Sequence, residues 1–271
     1  MKNKIFGIAL LVFTLLIPVD LQAQCGSTNT AFNSGETISY DLYFNWKFVW
    51  KKVGTASWNV TRTTYSGKPA YKTYLITRGS QQSDRYFVMR DTLTTYTDLN
   101  LVPLFYTNHD KEGKDYRVEE VWYSYPNRQC SVKMRYRKNN RPAQNSTFSS
   151  KYCAYDMLSM MLRARSFNAG TMKEGQRVNF ILAEGKHCEW RQLIYKGKKT
   201  IKMENSNNRY RCLVFSYVEK EGGKEKTIVT FYVTDDANHL PVRLDLNLRF
   251  GTAKAYMRGA TGLRHPLTSK V

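Results

Sequence analysis

From Pro241 to Phe250 apolar and polar residues alternate without a break. Val242, Leu244, Leu246, Leu248 and Phe250 fall on one side, and Arg243, Asp245, Asn247 and Arg249 on the other. A period of two predicts a strand with one dry and one wet face, because successive side chains leave a pleated backbone on opposite sides. At about 3.3 Å per residue the stretch reaches roughly 30 Å, beyond the usual five or six residues of a strand. Its dry face must cover either a core of the chain's own making or a pocket that holds something else.

The same pattern returns along the chain. In "GETISYDLYFNW" Ile38, Tyr40, Leu42, Phe44 and Trp46 share one face, against Ser39, Asp41, Tyr43 and Asn45. Past a basic corner at Lys51-Lys52, "VGTASWNV" keeps Gly54, Ala56, Trp58 and Val60 in phase. Together these predict a hairpin with a bulge or tight bend at Gly54. Alternation continues in "YKTYLIT", "DTLTTYT", "YRVEEVWYSY" and "CSVKMRYRK", then in "RVNFILA", "EWRQLIY", "RYRCLVFSYV" and "TIVTFYVTD". Connectors such as "KGKK", "ENSNN" and "KEGGKE" supply turn chemistry between them. The strand from Cys130 sets Cys130, Val132, Met134 and Tyr136 against a basic side of Ser131, Lys133, Arg135 and Arg137.

One segment, "YDMLSMMLRARSFNAG", departs from a period of two. Leu158, Met161, Leu162 and Arg165 recur at three- and four-residue steps, which predicts a helix; Asp156 sits where a carboxylate caps free N–H groups, and Asn168 and Gly170 follow as stop residues. Its methionine-rich face either packs on the sheet core or forms an adaptable surface against a ligand. In both readings it provides a lid for the sheet.

The first residues, Met1-Lys2-Asn3-Lys4, precede an apolar run from Ile5 to Pro18 and the sequence Leu21-Gln22-Ala23-Gln24. This is the layout of a secretory signal peptide over residues 1–23, cut after Ala23, rather than of a membrane span, which needs about 20 apolar residues. Residues 24–271 then read as a single β-rich domain, exported to the periplasm, with no transmembrane segment in the mature chain. Cys25 follows Gln24, where a lipoprotein signal calls for Gly, Ala or Ser, so lipid attachment there is unsupported. All five cysteines, Cys25, Cys130, Cys153, Cys188 and Cys212, lie in the mature chain, and export permits disulfides. Cys188 with Cys212 and Cys130 with Cys153 are candidate pairs, with connectivity left open. No CxxC or Cys/His spacing implies a metal, and no cofactor is implied.

The formal charge is +20, or +19 once Lys2, Lys4 and Asp20 leave with the signal. Such a charge favours anionic envelope surfaces, while nucleic acid is no partner for an exported chain. Scattered Lys and Arg also keep strand-rich proteins soluble and guard sheet edges, and that reading stands beside the first. The 19 Tyr, 13 Phe and 5 Trp suit strands. Tyr43, Trp50 and Tyr256 fall off the dry face and are the candidates for exposed rings of the kind that stack on sugars.

Three segments together resemble one bacterial exported family, the domain of unknown function 3108. They are "FNSGETISYDLYFNWKFVWKKVGTASWNV" with Gly35-Glu36, "YDMLSMMLRARSF" with Asp156 and Ser159, and "TDDANHLPVRLDLNLRFGTAKAYM" with Leu240-Pro241 and Gly251. The resemblance implies a mainly β protein: a large, strongly curved antiparallel sheet or half-open barrel with one main helix packed against it. It implies no activity, and a likeness to half-open barrels that carry lipids is an analogy of fold.

No GxSxG, HExxH, SxxK or phosphate-binding glycine loop is present. Asp235-Asp236 with His239 is the best catalytic grouping, and a polar turn between strands accounts for it. The other histidines, His109, His187 and His265, lie near turns or strand ends, and no catalytic residue is nominated. The expectation is an exported envelope protein, not an enzyme, that binds an acyl lipid or another hydrophobic small molecule in a curved-sheet cavity. Leu42, Phe44, Trp58, Leu158, Met161, Leu162, Leu244 and Leu246 are the expected lining. The alternatives are a structural or assembly protein with a filled core that binds an envelope protein or glycan, and an enzyme acting on envelope polymers.

Overall fold

A computed structural model describes residues 25–46, 49–248 and 251–271. The expected signal peptide lies outside these residues, as do Arg249 and Phe250 of the opening strand. Strands are numbered in chain order. The first eight are β1 (Thr37–Trp46), β2 (Val49–Tyr65), β3 (Lys68–Gly79), β4 (Met89–Asp98), β5 (Pro103–Glu112), β6 (Asp115–Ser124), β7 (Cys130–Lys138) and β8 (Gln144–Ser150). The rest are β9 (Ala154–Tyr155), β10 (Arg177–Glu184), β11 (His187–Lys202), β12 (Arg209–Glu221), β13 (Lys224–Thr234), β14 (Pro241–Leu248) and β15 (Gly251–Thr261). Helix α1 (Gln81–Asp84) is one turn; helix α2 (Met157–Arg165) is the long one.

All fifteen strands join one sheet in the order β8-β7-β6-β5-β4-β3-β2-β1-β15-β14-β13-β12-β11-β10-β9. The first and last strands pair in its middle, Leu42 opposite Ala255, and β9–β10 is the parallel exception. The sheet curls into a nearly closed barrel whose edges, β8 and β9, share no ladder. Side chains bridge the seam instead: Ser146 Oγ donates to the Lys186 carbonyl at 2.8 Å, and the Ala154 N–H reaches Cys130 Sγ at 3.4 Å.

Because neighbours run antiparallel, the hairpin connections after β1, β3, β5, β7, β10, β12 and β14 gather at one end, called here the rim. The opposite end is plugged by the segments before β1 and after β15. Ala31 and Phe32 are fully buried there, Phe32 edge-on to Tyr71, and Ser269 is buried near Arg211, whose N–H it accepts. Gly54 is required on β2, since a Cβ at that position would lie 2.3 Å from the Arg78 carbonyl oxygen. Lys51 and Lys52 belong to β2 rather than to a corner, and Lys52 pairs with Asp41 at 2.7 Å.

The cysteines correct both candidate pairings. Cys25 is bonded to Cys153 across a sequence separation of 128, leaving Cys130, Cys188 and Cys212 free. Cys130 and Cys212 sit in the core, and Cys188 packs its sulfur 3.7 Å from that of Met134. No helix among the described residues is long and apolar enough to cross a membrane.

Candidate apolar cavity

Helix α2 lies inside the curl of the sheet and is apolar on two sides. Leu158 and Leu162, both fully buried, pack into the main core with Leu93, Tyr106 and Val121. Met157, Met160, Met161 and Ala164, at i, i+3, i+4 and i+7, form a second apolar side, with Met161 at its edge also packed against the main core. The helix is fixed at its start by a capping box: Asp156 Oδ1 accepts the Ser159 N–H at 2.9 Å, and Ser159 Oγ accepts the Asp156 N–H at 3.1 Å. Asp156 Oδ2 also accepts from Thr95 Oγ1 at 3.0 Å, tying the helix to β4. Burial lifts the Asp156 carboxyl above its ordinary pKa, against the pull of these donors. At the other end Arg165 clasps Glu36 and donates to the Asn238 carbonyl at 2.9 Å.

Between the methionine side of α2 and strands β10 to β14 lies a cavity of about 280 Å3. Phe180, Leu182, Leu193, Phe215 and Phe231 are among the apolar residues of its wall. Strand β10 is dry on both faces, with Ile181 and Ala183 in the main core and Phe180 and Leu182 on the cavity side. The far end of the cavity is marked by Arg165, His239 and Pro241, and the rim-side end by Met157, Glu184, Glu219 and Leu246. Tyr155 pairs with Leu182 just short of the rim, so α2 begins near it, and Met157 there is exposed. Glu184 is exposed as well, and Ile228 and Phe231 are only half-buried, so solvent reaches the cavity on this side.

Of the eight residues nominated from sequence, Met161 and Leu246 line this cavity. Trp58, Leu158 and Leu162 are buried in the packed core instead, while Leu42 and Leu244 are half-buried against it and Phe44 is half-buried on β1. The walls of β10, β12 and β13 were not nominated, although the alternation of Leu213, Phe215 and Tyr217 against Cys212, Val214 and Ser216 marks them in the sequence. Cavity and core therefore share the helix, Leu158 and Leu162 serving the core and Met157, Met160 and Ala164 the cavity, with Met161 at the boundary touching both.

The acidic turn before β14 is spent on structural contacts: Asp235 pairs with Lys198 at 3.0 Å, and Asp236 Oδ2 accepts the Ser269 N–H at 3.1 Å. Asp236 accepts the Asn238 N–H and Thr234 Oγ1, and the ring of His239 meets the Arg165 carbonyl through Nδ1 at 2.5 Å rather than either aspartate. Since a carbonyl only accepts, Nδ1 carries the proton in that contact. Among the described residues no group of three His, Cys, Asp or Glu side chains is placed to hold a metal ion.

Of the three rings expected on the surface, Trp50 is exposed, Tyr43 is half-buried and Tyr256 is covered. Tyr256 is fully buried, with Tyr43 edge-on to it at 5.6 Å, and Trp50 lies stacked on Tyr43 under the ammonium of Lys254. A second outer row also reaches solvent: Lys72, Tyr96, Phe105, Trp122 and Lys133 stand directly opposite one another across β3 to β7, with Trp122 and Lys133 exposed.

Residues 39–258 match the family described as "Protein of unknown function (DUF3108)". No curated protein matches the sequence. Among solved structures the chain is similar to the crystal structure of a β-barrel-like protein of domain of unknown function DUF1849 from Brucella abortus, with a TM-score of 0.56 and 13% identity over 85% of this chain and 98% of that one. At that identity the likeness is one of fold.

Proposed function

This chain belongs to the DUF3108 family, and we propose that it binds a small hydrophobic molecule, such as one acyl chain, between α2 and strands β10 to β14, and carries it within the cell envelope. One observation carries the reading: a cavity of about 280 Å3 walled almost wholly by aromatic, aliphatic and methionine side chains. That volume is near the lower end of small-ligand sites, roughly 300–1,000 Å3. Apolar side chains that line a cavity open to solvent are poorly hydrated, and an apolar guest takes that surface out of water. Methionines suit such a wall because the unbranched thioether adapts to guests of differing shape. An exported chain with a basic surface would meet its ligand among envelope lipids.

The test is lipid mass spectrometry of protein purified without detergent, with titration of a fluorescent fatty acid. Saturable uptake near one per chain is expected, falling at least tenfold in Leu246→Arg, which sets a charge in the apolar wall. A folded wild-type protein that takes up nothing, or a Leu246→Arg variant that takes up as much, would sink the reading.

A second reading, contact with an acidic glycan, is favoured by the outer row from Lys72 to Lys133. Its rings neighbour one another at 6.3 Å (Tyr96 to Phe105) and 5.5 Å (Phe105 to Trp122) between two cationic ends. Trp122 is 37% exposed, so its fluorescence should report an acidic polysaccharide added in solution; an unchanged signal at saturating polymer removes this reading.

A further inference from the structure

We propose that the rim is a docking surface for an anionic lipid bilayer, a partner that rests on the cavity reading and specifies where the ligand enters. The two ends of the barrel differ in kind. The far end is plugged by buried chain such as Phe32 and Leu240, whereas the rim is a ring of turns beside the accessible end of the cavity. On this rim Lys51, Arg85, Lys111, Lys114 and Arg141 are exposed and, among the described residues, engaged in no ion pair. Apolar side chains stand among them: Tyr86 is 88% exposed, Phe87 51% and Leu248 47%.

The aromatic pair is presented by a built tip. The N–H groups of Tyr86 and Phe87 both donate to the Ser83 carbonyl at 2.9 Å, Ser83 Oγ donates to the Val53 carbonyl at 2.7 Å, and Arg90 pairs with Asp84 beneath. Two adjacent exposed rings at the end of a barrel, with exposed cations around them, match the chemistry of a headgroup layer, where aromatic rings settle at the interface and basic side chains meet anionic lipid. Leu246 at the cavity's rim-side end lies two residues from Leu248 on the same strand, so a docked rim would bring the cavity entrance to the membrane surface.

Flotation with vesicles of phosphatidylglycerol and phosphatidylethanolamine, against phosphatidylcholine alone, tests this with the full folded chain. Binding to the anionic vesicles that fades with salt is expected. The pair Arg85→Gln with Lys114→Gln should weaken it about 25-fold, taking about fivefold per cation near the surface. Tyr86→Ser with Phe87→Ser should weaken it as well, and both pairs should keep wild-type uptake of fluorescent fatty acid from solution. Equal binding to neutral vesicles, rim variants that float like wild type, or binding to a soluble acidic polysaccharide with none to vesicles would overturn the proposal. Vesicle binding that persists in a protein with no fatty-acid uptake would overturn the cavity reading and leave the docking surface standing.

Discussion

Arg165 and Glu36, 129 residues apart in sequence, form a two-pronged ion pair that is almost fully buried, with Nη1 to Oε1 at 2.5 Å and Nη2 to Oε2 at 2.8 Å. The pair joins the last turn of α2 to the segment entering β1, and the Asn238 carbonyl and the face of Phe32 complete the guanidinium's surroundings. A charge left alone in that setting has no water to turn to. Removing either partner, as Glu36→Gln or Arg165→Met, should cost about 3–5 kcal/mol, and the double variant should lose much less than the sum. Urea unfolding of the four proteins measures this; additive losses would show that the two charges do not depend on one another.

The Cys25–Cys153 bond ties the segment before β1 to the chain just ahead of β9, and Tyr155 Oη and Arg163 both donate to the Cys25 carbonyl beside it. A link closing so long a loop restricts the unfolded chain and stabilises the fold by about 2–5 kcal/mol. Cys153→Ser should therefore lower the melting temperature by at least several degrees, and intact mass under non-reducing conditions should show one disulfide with three free thiols. A bond between any of Cys130, Cys188 and Cys212 would contradict the arrangement.

Asp91 on β4 lies opposite Asp110 on β5, whose carboxylate is taken by Arg117, and its own Oδ1 has no hydrogen-bond partner among the described residues. Burial, followed by the charges of Glu112 and Asp110, raises its pKa to about 6. The folded state then holds a proton that the unfolded chain has released between about pH 4 and 6, so stability falls as pH rises through that window. Asp91→Asn should remove the loss. Allowing for solvent screening of a half-buried group, the gain at pH 7.5 is on the order of 1 kcal/mol, about 2–4 °C, and should vanish near pH 3.5. Melting curves of both proteins at the two pH values decide it, and a gain of equal size at both would rule out titration as its source.

The elements with clean periods were legible in the sequence. Strand β7 spans the nine residues from Cys130 to Lys138 that alternate, and α2 starts directly after its expected cap, Asp156. Strand β8 was not legible, because "QNSTFSS" at the sheet edge has no dry face to write into the sequence; β5, with "TNHDKE" at its rim end, is hidden by the polar interior there. Neither was the pairing of β1 with β15, which is set by tertiary closure rather than by local pattern. The cavity was half legible. Periodicity finds the apolar stripes of α2 but cannot say which stripe meets a packed sheet and which a void, so Leu158 and Leu162 were grouped with Met161 although they face the core.

That division of the helix gives a prediction in two opposite halves. Leu162 is fully buried in the core, so Leu162→Ala leaves a void and should cost about 2–5 kcal/mol. Met161 is half-buried on the cavity side, where an indole has empty volume to enter, so Met161→Trp should cost under about 1.5 kcal/mol. Ligand uptake, measured well below each melting temperature, should follow the reverse order: near wild type in Leu162→Ala and reduced at least tenfold in Met161→Trp. If uptake fell with stability in both, α2 would be acting only as a packed core element; uptake lost without stability in Met161→Trp ties the ligand to the methionine face.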